Sequence, residues 1–65
     1  MYEYISVRIN EQGKWETDYG SNVRVLHGIK SLMGAIQYHN INGWKVVTVH
    51  SGEIYKQEVL MERSI

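Results

Sequence analysis

Cysteine, proline and phenylalanine are all missing from this 65-residue chain, and its charges cancel. Without cysteine there can be neither a disulfide framework nor a thiolate zinc site. Three scattered histidines, His27, His39 and His50, make no spaced ligand set, so no metal is expected. A zero net charge argues against broad electrostatic binding of polymeric DNA or RNA. The longest uncharged stretch, Ser31 to Trp44, is interrupted by Gln, His and Asn and is unfit to span a bilayer. Met1 is followed by Tyr-Glu-Tyr instead of a basic and then apolar leader, so the expected compartment is the cytoplasm. At 43% hydrophobic residues, disorder is not expected either.

A chain this short forms one domain, residues 1–65. Its folded surface should be roughly 4,300 Å², against roughly 11,000 Å² unfolded, which leaves a monomer marginally stable. With disulfides and metal gone, oligomerisation or a bound ligand is the expected supplement.

Tyr2 to Asn10 alternates, with Ile5, Val7 and Ile9 on one face, and reads as a strand. Glu11-Gln12-Gly13-Lys14 is a turn, and Trp15 to Tyr19 can return as a second strand. Val23-Arg24-Val25 fits either a short strand or the start of a helix. From Gly28 the period changes: Ile29, Leu32, Met33 and Ile36 form a helical stripe that should stop near Asn40, a residue tolerant of the left-handed conformation. Trp44 to His50, a turn at Ser51-Gly52-Glu53, and Ile54 to Glu62 read as a second hairpin. The expected fold is α+β, a small antiparallel sheet of three to four strands packed on one helix in the order β-(β)-α-β-β. Apolar residues on both faces of Trp44–Val49 leave Val47 and Val49 facing away from the helix, so a homo-oligomer, dimer or tetramer, is expected.

Chemistry has few candidates. No acidic residue lies between Tyr19 and Gly52, a span that holds Arg24, Lys30, Lys45 and all three histidines. This basic middle suits a small anion such as phosphate, and equally suits a solvated surface or pairing with acidic ends of a neighbouring subunit. Every aromatic side chain is Tyr or Trp, each with a polar handle. Such rings either stack on bases beside Arg or Lys or rim a protein interface. Trp15, Tyr19 and Tyr38 are the stacking candidates, with Arg8 a lesser phosphate candidate. Trp44 is expected in the core, and His39 could serve as a cation at the helix C-terminus. Gly34, inside the helix, permits a close approach by another group. With no cysteine nucleophile, no close carboxylate pair and no histidine with an acidic partner nearby in sequence, no enzyme and no bound cofactor is expected.

Ile36 to Val49, IQYHNINGWKVVTV, resembles the LNxxGxxGWELVSV signature of a bacterial and phage family of small domains of unknown function. Met1-Tyr2-Glu3-Tyr4 is similar to that family's MYEYK start, and Val59-Leu60-Met61-Glu62-Arg63 to its closing strand. Asn40 stands where the family has glycine, and Lys45 where it has glutamate after the tryptophan. The resemblance implies a small oligomeric domain. In size, assembly and charge such domains are similar to the phage sponges that sequester cyclic dinucleotide signals of bacterial defence. The reading that follows is a non-catalytic, homo-oligomeric binder of a cyclic nucleotide, acting in the host cytoplasm if of phage origin. Arg24, Lys30, Lys45 and Arg8 would meet phosphates, and Trp15, Tyr19 and Tyr38 would meet bases. The alternative is a protein-interaction module that uses its sheet face or edge.

Overall fold

The computed structural model describes residues 1–50 and 56–65. Its elements are β1 (Tyr2–Ile9), β2 (Trp15–Asp18), β3 (Val23–Val25), α1 (Leu32–Asn40), β4 (Lys45–His50) and β5 (Glu58–Ser64). They form one antiparallel sheet in the order β3-β2-β1-β5-β4, so the first and last strands pair at its centre. The α+β class is as expected, but among the described residues the sheet has five strands where three to four were expected. The difference is Val23-Arg24-Val25, which pairs with β2 from Asp18↔Val23 to Glu16↔Val25.

Alternation in β1 sets the two faces. Ile5 lies opposite Met61, Val7 opposite both Val59 and Thr17, and Ile9 opposite Trp15. Ile5, Val7, Trp15, Val59 and Met61, with Leu26, Ala35 and Trp44, make the core under the helix, and Ile9, Ile29, Leu32 and Ile36 pack against it. The other face mixes charged residues with exposed Tyr2, Tyr4, Val23 and Val25. There Arg8 donates to Glu16 at 3.0 Å and to Asp18 at 3.3 Å. The Gly20 N–H, and then Arg8, hold the Asp18 carboxyl below its ordinary value. The β1–β2 turn is organised by Asn10, whose side chain accepts from the N–H groups of Gln12 and Lys14, while Gly13 takes φ +76°.

The helix is shorter than its apolar spacing suggests. Ser31 caps it, accepting the Gly34 N–H at 3.0 Å, so Ile29 reaches the core from the preceding loop. Met33, expected on the buried stripe, is 62% exposed. With so short a helix the burying face narrows to Leu32, Ala35, Ile36 and His39. A Cβ at Gly34 would stand 3.2 Å from Ser31 Oγ, so its absence serves the helix's own cap. At the exit Asn40 stays out of the left-handed region and donates its side-chain amide to the Trp44 carbonyl at 2.8 Å. Gly43 takes the positive φ, +86°.

Strand β4 also differs from expectation. Val46 pairs with Met61 and Thr48 with Leu60, which leaves Val47 as the extra residue of a β-bulge. The bulge resets the alternation, so Val49 lies opposite Val59 and shares the helix-side face. The second face therefore does not carry Val49; its apolar residues are Tyr2, Tyr4, Leu60, Val23 and Val25. The turn expected at Ser51-Gly52-Glu53 and the start of the returning strand lie outside the described residues. No helix among the described residues is long and apolar enough to cross a membrane.

Candidate functional site

At the C-terminal end of α1 the chain buries one polar pair. His39, 2% exposed, points onto β2, where Thr17 lies inward because it shares the parity of Trp15. Thr17 Oγ1 and His39 Nε2 are 2.7 Å apart. Burial pushes the imidazole pKa below its ordinary 6.5, so the ring is neutral at pH 7. His39 is thus not the helix-end cation its position suggests. It is a wedge between helix and sheet, hydrogen-bonded because an unpaired buried ring nitrogen is costly.

The wedge places two tyrosines. Tyr38 meets the His39 ring edge-on at 5.0 Å between centroids, and Tyr19, just past β2, does so at 6.5 Å. Opposite them, the β1–β5 register sets Glu3 against Arg63. Arg63 Nε donates to Glu3 Oε1 at 2.7 Å, and Nη1 donates to the Asn42 carbonyl at 3.2 Å. The guanidinium carbon lies 4.3 Å from the Trp44 ring centre, a stacked cation–π contact. Glu3, Tyr19, Tyr38, His39, Trp44 and Arg63 together enclose an open recess of about 290 Å³. A wider hollow of about 490 Å³ adjoins it across Glu3 and Tyr19, walled by Ser21, Asn22 and Arg24.

Of the residues singled out in the sequence, Tyr19 and Tyr38 therefore meet at the recess, and Arg24 lies in the adjoining hollow. The rest are dispersed. Trp15 is 2% exposed and offers no ring face to a ligand, because its pairing opposite Ile9 turns it into the core. Arg8 is engaged by two carboxylates on the far face. Lys45 lies opposite Glu62 and lines a separate hollow with Tyr2. Lys30 is exposed in the loop before the helix and lines neither chamber. Trp44 is buried as expected, yet one side of its ring also backs Arg63.

Glu3, His39 and Arg63 were not legible as site residues. One signal did exist for Glu3: it shares the parity of Ile5 and Val7. A charge on the apolar side of a strand requires a partner. Finding that partner needed the register between the two ends of the chain.

Chemically, the recess offers ring faces, one arginine tied to a carboxylate and a neutral histidine. The Ser31 hydroxyl is taken by the helix cap and the Thr17 hydroxyl is buried against His39. Among the described residues no three His, Asp or Glu side chains are grouped to hold a metal ion. Comparison with protein-family models, with curated proteins and with solved structures yields no match to this chain.

Proposed function

We propose that this protein is a non-catalytic binder of a small anionic ligand of the nucleotide class, held with its ring beside Tyr19 and Tyr38 and its phosphate at Arg24. The observation that carries this reading is that the two chambers share Glu3 and Tyr19 as lining residues. A ring-walled recess lies beside a polar hollow with a cation, and Arg63 already neutralises the carboxylate of Glu3 that borders both. A recess of about 290 Å³ stands at the lower limit for ligand sites. It suits a single ring. A cyclic dinucleotide carries two, so its capture calls for two recesses and hence two copies of the chain. That ties the expected homo-oligomer to the sponge-like role in the cytoplasm, a phage device that removes a defence signal, which the sequence resemblance suggests.

The test is a thermal-shift panel of cyclic dinucleotides, cyclic mononucleotides and ADP-ribose derivatives. A ligand at about 100 times its Kd should add ~2.7 kcal/mol and raise Tm by roughly 20 °C in so small a domain. Tyr38→Ala and Arg24→Ala should each abolish most of that shift. A flat panel on folded protein refutes the reading.

A second reading, an interaction module for a protein partner, is favoured by the β4 edge. There Val46, Val47 and Val49 remain 41%, 42% and 48% exposed. The chain also exposes 4720 Å² where a compact monomer of its mass exposes roughly 4,300 Å². Saturable binding to a protein partner with no response to nucleotides would select this alternative.

A further inference from the structure

Resting on the nucleotide reading, we propose that Glu3 reads the base and selects a guanine-type edge, one that presents adjacent ring and exocyclic N–H donors. Glu3 borders both chambers, so a ligand spanning them must pass it. Its carboxylate is held asymmetrically. Both Nε and Nη2 of Arg63 contact the same oxygen, Oε1, the first at 2.7 Å. Oε2 has no hydrogen-bond partner among the described residues, and the side chain is partly exposed. The outcome is an acceptor held in place by one of its oxygens and open through the other. Arg63 is itself fixed by Trp44 and the Asn42 carbonyl, so the carboxylate is positioned before any ligand arrives.

A carboxylate oxygen accepts hydrogen bonds and repels lone pairs. The guanine edge offers it N1–H and the exocyclic amino group side by side. The adenine edge offers an amino group next to the bare lone pair of N1, which would face the same oxygen. Guanine also carries a carbonyl at its third edge position, and Arg63 has N–H groups to spare beyond those given to Glu3 and Asn42. With the base edge at Glu3 and the ring beside the tyrosines, the phosphate extends past Tyr19 toward Arg24. Discrimination arises because the wrong base leaves the open oxygen, Oε2, without a donor and pressed against a lone pair.

The test is calorimetric titration of the full chain with cyclic GMP, cyclic IMP and cyclic AMP, then of Glu3→Gln with the same three. Cyclic GMP should bind about ten- to a hundredfold tighter than cyclic AMP, the range expected for hydrogen bonds to a charged group. Cyclic IMP, which keeps N1–H but lacks the amino group, should fall between them. In Glu3→Gln the amide oxygen can still accept from Arg63, while an N–H₂ group replaces the open acceptor. The guanine preference should then shrink to within about threefold. Equal affinities in the unmodified protein overturn the role of Glu3 and leave the nucleotide site standing, and no variant is needed to see it. A guanine preference that survives Glu3→Gln also overturns it. If none of the three ligands binds, the proposal falls together with the reading it rests on.

Discussion

Replacing Thr17 by valine should cost this domain about 2 kcal/mol, because the substitution removes a hydroxyl and almost nothing else. The two side chains have nearly the same shape, so no cavity opens. What is lost is the partner of His39 Nε2, 2.7 Å away in a site that is 2% exposed or less. A buried ring nitrogen left without a hydrogen bond costs about 1–3 kcal/mol. The entropy of unfolding is roughly 2.1 cal/mol/K per residue, about 0.14 kcal/mol/K for a chain of 65 residues. A loss of about 2 kcal/mol therefore lowers Tm by about 15 °C. Circular dichroism melts at pH 7.5 provide the assay, with urea titration to check that the midpoint moves at constant slope. Thr17→Ser is the control. It keeps the hydroxyl and gives up only a methyl group, so it should lose about half as much. A Thr17→Val protein melting within about 3 °C of the parent would refute the assignment and mean that the imidazole does not depend on this hydroxyl.

Two further outcomes follow from the same region. His39 has its pKa lowered by burial, so as pH falls below about 6.5 the unfolded chain takes up a proton before the folded one. Stability from this group should be flat above that pH and decline below it, through to the folded-state pKa. His39→Gln should remove that part of the decline, as read by urea midpoints between pH 7.5 and 5. Gly43→Ala puts a side chain at φ +86° and should cost about 1 kcal/mol, a fall of about 7 °C in Tm. An unchanged melt would show that the helix exit relaxes freely.

The parts of the fold legible in the sequence are those set by local alternation. Ile5, Val7 and Ile9 announced β1, Gly13 its turn, and Leu32 with Ile36 the helix, because each depends on neighbours within a few residues. Val23-Arg24-Val25 was undecidable, since three residues carry no period and only pairing with β2 makes them a strand. Val49 departs from simple alternation because a bulge shifts parity without leaving a mark in composition. The site shows the same division. Tyr19 and Tyr38 stood out by residue type, whereas Arg63 becomes a site residue only through Glu3, 60 positions away. Trp15 is out of reach for a related reason: ring chemistry says nothing about burial, and the β1–β2 register decides it.

The pairing of the first strand with the last has a kinetic side. β1 and β5 are joined from Tyr2↔Ser64 to Arg8↔Glu58, and this ladder is the middle of the sheet. During synthesis the β1–β2–β3 meander can zip early from local turns, yet one whole edge of β1 stays bare until β5 has left the ribosome. Contacts this distant along the chain slow folding. A bare strand carrying Ile5 and Val7 is meanwhile a template for other nascent chains. Productive folding therefore waits on the final residues of β5. Overexpression should overload that interval first, so inclusion bodies that refold readily from urea are the expected symptom of a chain whose centre is its last part to close.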